Sequence, residues 1–176
     1  MKVAEHLRSC GHEVQTVRLA TPPWEEWCTA EELPTRAREL EQTALAAGIN
    51  FLSLGPCSAE NVSAVVDALL TTKSIFCGAQ LNGNGNTAAA SAMLQLAQAD
   101  PQHNLRFAAL AHVETETPFF PAAFAQREGF ALAMELAPQV LAVGGKIAAL
   151  SPGLEALERD ARATNVPFLG IDPSLT

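Results

Sequence analysis

Ser74–Ala99, SIFCGAQLNGNGNTAAASAMLQLAQA, passes from an apolar run across two glycines into an alanine-rich segment. Ser74–Leu81 is too short for a helix and reads as a buried strand. Thr87–Ala99 has the length of a helix and is closed by Asp100-Pro101, since the residue before a proline leaves helical space. Asn-Gly turn chemistry joins the two, and Asn86 is expected to cap the helix. A continuously apolar strand that feeds a helix is the repeating unit of a parallel sheet.

The same unit recurs on both sides. Upstream, Gly11 stops a first helix and Glu13–Ala20 reads as a strand. Pro34–Ala47 is an amphipathic helix with Leu33, Ala37, Leu40 and Ala44 on one face, ended by Gly48. Asn50–Leu54 is a strand, and Ser58 caps a helix whose Val62, Val65, Val66, Leu69 and Leu70 share a face. Downstream come the strands Leu105–Val113 and Phe130–Glu135, then a broken helical stretch, Leu136–Leu150, with Gly144-Gly145 inside it. A helix from Ser151-Pro152 and the strand Val166–Ile171 complete the chain. The pattern predicts one α/β domain over residues 1–176, a mostly parallel sheet covered by helices. The first four strands should be mutually parallel, because each crossover is of helix length. Both ends read as incomplete: no strand precedes the first helix and no helix covers the last strand.

Composition narrows the function classes. The net charge of −8 argues against duplex nucleic acid, which calls for a basic surface. No apolar run has membrane-span length, and MKVAEHLRSC lacks a signal-peptide core. Cys10, Cys28, Cys57 and Cys77 form no C-x-x-C pair, which excludes a zinc knuckle and fits reduced thiols in the cytoplasm. Gly83, Gly85 and Ala88 match G-x-G-x-x-A, the opening of a dinucleotide site. That motif belongs to the first βα turn and needs an acid about 20 residues on. Here the turn is the third, and Glu114 stands 29 residues beyond Gly85. Nucleotide binding at Gly83–Asn86 is therefore the lesser reading.

LRFAALAHVETETPFFPAAF (Leu105–Phe124) is the most distinctive stretch of the chain. With VQTVRLATPP (Val14–Pro23) and FLGIDPSL (Phe168–Leu175), it resembles the DUF711 family, also called UPF0210, in order along nearly all 176 residues. The resemblance implies an α/β fold akin to half of the ten-stranded barrel of pyruvate formate-lyase and ribonucleotide reductases. It implies no activity, and so no catalytic residues or cofactor. Members are longer at both ends, so the resemblance implies a truncated or partial member. The chain departs from the family at His112, Glu114 and Glu116, where Asn and small residues or proline are usual. The segment between Phe130–Glu135 and Phe168–Asp172 is also shortened. The adjacent cysteines and radical loop of glycyl-radical enzymes are absent.

Ligands of open parallel sheets sit beyond the carboxyl ends of the strands. Those ends supply Thr21, Cys57, Ser58, Asn82, Asn84, Asn86, Glu114, Glu116, Asp172 and Ser174. Glu114 and Asp172 should share an edge with Asn82 or Asn84, and Arg18 should stand between the two carboxylates. The candidate ligand residues are thus Arg18, Thr21, Cys57, Asn82, Asn84, Glu114, Asp172 and Ser174, suited to a small polar molecule or a divalent cation. His112, Glu114 and Glu116 alternate, and if extended they could ligate a metal; a solvated acidic loop is the competing reading. Cys57 precedes a helix N-terminus whose dipole could lower its thiol pKa, against the reading of a small packed residue. Phe119 and Phe120, flanked by Pro118 and Pro121, should bury at least one ring against Leu105–Val113. Only Ser91, Gln95 and Gln98 break the apolar surface of Thr87–Ala99, so nearly all of it should be covered. If a second subunit supplies that cover, the chain is a non-catalytic, homo-oligomeric assembly element.

Overall fold

The alternation of apolar residues decides which way each strand faces. The computed structural model describes residues 2–81, 85–113 and 116–174, with Ser174 described in its backbone only. The backbone forms two compact units, residues 16–126 and residues 1–15 with 127–176.

The larger unit runs β1 (Arg18–Ala20), α2 (Leu33–Ala46), β2 (Phe51–Cys57), α3 (Val62–Leu70), β3 (Ile75–Gln80), α4 (Gly85–Ala99) and β4 (Phe107–Leu110), after α1 (Lys2–Ser9) of the other unit. Its strands lie in the order β1-β2-β3-β4, every neighbour pair parallel, with Arg18 opposite Phe51, Leu52 opposite Ile75 and Cys77 opposite Phe107. The parallel arrangement expected from the helix-length crossovers is what forms. Leu52, Leu54, Ile75, Cys77 and Phe107 face the helices and pack with Leu33, Ala37, Val65, Leu69, Ala92 and Leu96. Each such aliphatic side chain contributes roughly 1.5–3 kcal/mol by leaving water.

Phe51, Ser53 and Phe76 point to the opposite face, which the segment 116–126 covers instead of a helix. Thr117 and Phe124 form an antiparallel bridge that closes this segment. Its Phe120 ring meets Phe76 edge-on at 5.1 Å, and Phe76 meets Phe51 in the same way at 5.4 Å. The Phe120 ring thus packs on Phe76 of β3, while Phe119 stays 40% exposed.

Three element boundaries differ from expectation for local reasons. β1 keeps only the last three residues of Glu13–Ala20, since residues 13–15 belong to the other unit. Pro101–Arg106 is a 3-10 turn because the Asp100 carboxylate accepts the Gln102 N–H at 2.9 Å, so β4 starts at Phe107. It ends at Leu110, two residues before His112 turns to φ 57°. α4 begins at Gly85, which puts Asn86 inside the first turn and not at the cap. Only Ala89, Ala92 and Leu96 of α4 are fully buried; Met93 and Leu94 are 42% and 60% exposed, so the expected full cover of this helix is not present.

At the amino ends of β3 and β4 a buried charge joins the layers. Arg106 donates to Leu69 O at 2.8 Å, Ile75 O at 3.2 Å and Thr72 Oγ1 at 3.4 Å, closing the carbonyl end of α3. Burial pushes its pKa down, while Glu41 and Asp100 pull it back up. Glu41 of α2 accepts Ser74 N at 2.5 Å, Lys73 N at 2.7 Å and Ser74 Oγ at 2.8 Å. Burial works against its charge, but these donors, together with Arg106, hold its carboxyl below the ordinary range.

The smaller unit holds α1, β5 (Phe130–Glu135), α5 (Ala137–Ala142), α6 (Ser151–Arg162) and β6 (Phe168–Ser174). β5 and β6 pair in parallel, and Phe130, Leu132 and Met134 pack toward Leu7, Leu157 and Ala161 of the two longer helices. His12 Nε2 meets Asp160 Oδ2 at 2.8 Å and His6 Nε2 meets Asp160 O at 3.1 Å, tying the end of α1 to α6. Gly144 and Gly145, at φ 60° and 79°, break the helical stretch after α5 as expected. Among the described residues, no helix is long and apolar enough to cross a membrane.

The amino-edge charges make two stability predictions. Arg106→Ala leaves two buried carbonyls without a donor and should cost about 2–3 kcal/mol in urea unfolding at pH 7. Glu41 has a folded pKa below its unfolded value near ~4.3, so its contribution is complete above that pH and is lost as pH falls through the folded pKa. The midpoint deficit of Glu41→Gln should therefore be plain at pH 7 and shrink at pH 3. An equal deficit at both would refute this account.

Candidate functional site

β2 is buried along its length beyond Phe51, and its course is set by a bulge between Ser53 and Pro56. Gly55 sits in that bulge at φ 75°; a Cβ there would lie 3.0 Å from Pro23 Cα and 3.1 Å from Phe124 Cβ. Two loops thus press on one glycine. Ser53 Oγ donates to Ala123 O at 2.5 Å, Thr21 N donates to Ser53 O at 2.9 Å, and Ala125 N donates to Thr21 O at 3.0 Å. The loop after β1, the end of β2 and the segment 116–126 are stitched together there.

The loop after β1 carries the 3-10 turn Trp24–Glu26. Trp24 is buried in the helix-side core, which leaves the neighbouring Glu25 exposed beside the carboxyl end of β2. Its carboxylate accepts Ser58 Oγ at 2.7 Å, Ser58 N at 3.1 Å and Asn61 Nδ2 at 2.5 Å. Ser58 does take the extended cap conformation before Ala59–Asn61, but its side chain makes no cap bond; Glu25 caps the turn in its place. Sequence reasoning missed Glu25, because its partners lie 33 and 36 residues away and no local spacing announces them. Alongside, a shallow cleft of about 210 Å³ lies between the start of α3 and α4, lined by Glu60, Ser63, Val66, Ser91 and Gln95 among others.

The residues singled out from sequence fare differently. Thr21 stands at the carboxyl end of β1 with its hydroxyl directed to Pro22 O at 2.8 Å and Ser53 O at 3.3 Å. Cys57 ends β2 but points into the core, 1% exposed. Burial, reinforced by Glu25, pushes its thiol up to about 12, the opposite of the activation that a helix N-terminus would provide. Cys77 is equally buried, donates to Gly55 O at 2.9 Å, and is raised well above the usual thiol range by the same desolvation. Arg18 lies at the amino end of β1, its Cζ 5.4 Å from the Phe51 ring centre and 5.5 Å from that of Phe120.

Asp172 and Ser174 lie on β6 of the smaller unit, opposite Ala133 and Glu135. Asn82, Asn84 and Glu114 fall outside the described residues, as does Gly83 of the glycine turn. The extended geometry assumed for His112, Glu114 and Glu116 fails at its first member, because a φ of 57° breaks the strand alternation. Glu116 accepts the Gln126 N–H at 3.1 Å. Among the described residues, no three His, Cys, Asp or Glu side chains are grouped to hold a metal ion.

A four-stranded parallel sheet with helices on one face and a polar cluster at its carboxyl edge defines an α/β protein. The sequence profile of the family described as Uncharacterised ACR (DUF711) matches residues 1–144, and the chain belongs to that family. The match spans α1 to α5, so the VQTVRLATPP and TPFFPAA stretches fall within it, while Phe168–Leu175 lies beyond. No curated protein and no solved structure matches the chain.

Burial sorts the thiols into two reactivity classes. In the native protein at pH 8, iodoacetamide should label exposed Cys10 and spare Cys57 and Cys77 until denaturant is added, as read by peptide mass spectrometry. Native labelling of Cys57 at the Cys10 rate would restore it as a reactive candidate.

Proposed function

We propose that the chain binds a small polar ligand at the carboxyl edge of β1–β4, with no reaction assigned. The observation that carries this reading is the exposed Glu25 carboxylate, held at that edge by Ser58 and Asn61 beside the cleft between α3 and α4. A carboxylate fixed on Ser58 and Asn61, the residues that flank Ala59 and Glu60 of the cleft, favours a cationic partner, either a divalent cation or an amine-bearing molecule. The all-parallel order is in keeping with half of a ten-stranded α/β barrel, the wider fold that the family resemblance implies. Its acidic charge and the lack of a membrane-spanning helix among the described residues support a cytoplasmic setting.

Binding to the native state raises stability by RT ln(1 + [L]/Kd), about 2.7 kcal/mol at a hundredfold excess over Kd. Thermal unfolding in the presence of Mg2+, Mn2+ and a panel of small primary amines should show at least one compound that raises the Tm of the native protein. The rise should be lost in Glu25→Gln. A panel without effect, or an equal effect on both proteins, would end this reading.

A second reading has its own support: α4 carries no charged side chain in fifteen residues and leaves Met93 and Leu94 exposed. A helix of that kind serves homo-oligomeric assembly. Light scattering at rising protein concentration should then show a larger species that Leu94→Glu dissociates. A monomer at all concentrations counts against it.

A further inference from the structure

Arg18 stands on the face of the sheet that, among the described residues of the larger unit, no helix covers. Its register partner is Phe51, and in a parallel pair such partners project to the same side. Phe51, Phe76 and Phe120 form a continuous edge-to-face row there, with ring centres 5.4 and 5.1 Å apart. The Arg18 guanidinium lies over two of these rings, at 5.4 and 5.5 Å. Its Nε donates to Thr16 Oγ1 at 3.2 Å. Among the described residues of the same unit, no carboxylate pairs with it and no acceptor takes its Nη groups. In a chain with 19 acids and 11 bases, this cation is thus set against rings and not against a carboxylate of its own unit.

Two contacts restrain the guanidinium. Its Cζ is attracted to the Phe51 and Phe120 rings, and its Nε is tied to Thr16 Oγ1. The Nη edge is left as a fork of N–H donors whose spacing matches two oxygens of a planar or tetrahedral anion. The half-buried rings beside it offer apolar surface to whatever carries the anion.

We propose that Arg18, Phe51 and Phe120 form an anion-recognition site for a small molecule that joins a carboxylate or phosphate group to an apolar body. The anionic group takes the Nη fork, and the body rests on the ring row. This site is separate from the Glu25 cluster, from which it differs in face and in the sign of its charge, and it stands whether or not the carboxyl edge binds a ligand.

Benzoate, phenyl phosphate and inorganic phosphate are the probes, and the readout is the ¹⁵N-resolved NMR spectrum of the whole chain, including the Arg18 Nε–H signal. Benzoate or phenyl phosphate should shift that signal and the Leu19 and Leu52 amides in a saturable manner; whichever binds more tightly identifies the anion. Inorganic phosphate, which lacks the apolar body, should bind more weakly. Arg18→Lys keeps the charge but not the fork and should weaken binding by about tenfold or more. Phe120→Leu should weaken benzoate while leaving inorganic phosphate unchanged. Each variant is compared only where its spectrum shows the native fold. No saturable shift in the native protein, or equal benzoate affinity in Arg18→Lys, would overturn the proposal.

Discussion

The close approach at Gly55 governs the placement of everything at the carboxyl half of the larger unit. A Cβ at that position would crowd Pro23 and Phe124 at 3.0–3.1 Å, so they would have to give way, and φ 75° favours glycine there. From one side the loop after β1 is drawn in, which seats Trp24 in the core and leaves Glu25 beside Ser58. From the other side the segment 116–126 is drawn in, which places Phe120 against Phe76 and beneath Arg18. Both candidate binding positions are thus consequences of one backbone crossing.

The opposite edge of the sheet works by charge. Arg106 and Glu41 satisfy backbone groups at the end of α3 and the start of β3, where neither helix nor ladder can reach them. A buried guanidinium with three acceptors and a carboxylate oxygen with three donors are there committed to holding the chain itself. The carboxyl edge retains an exposed carboxylate, and the helix-free face retains a guanidinium with its outer edge open. Only the first of these follows the rule that ligands gather at the carboxyl ends of parallel strands; Arg18 lies at the amino end of β1.

The DUF711 match covers the whole larger unit and, of the smaller, residues 1–15 and 127–144. The matched stretch includes both Gly55-facing loops and the Arg18 strand, so the crossing and the ring row lie within the part of the chain that the family defines. The smaller unit differs in kind. Only Leu7, Leu157 and Ala161 are fully buried in its apolar cluster, and its two parallel strands give it little area to bury.

What the amino-acid order determined by itself is the α/β class, the four parallel strands and the apolar face of each helix. Each of these follows from periodicity and from crossover length, both of which are local. The break at Gly144-Gly145 was legible for the same reason. Tertiary structure alone decided the rest. Cys57 follows a strand and precedes a turn, which locally reads as reactive, yet the pleat points it into the core and burial raises its pKa. Glu25 gained its role from Ser58 and Asn61, more than thirty residues away. Phe120 meets Phe76, 44 residues away in the chain. Contacts between residues distant in the chain leave no spacing in the sequence, and a site made of such contacts becomes visible only when the chain has folded.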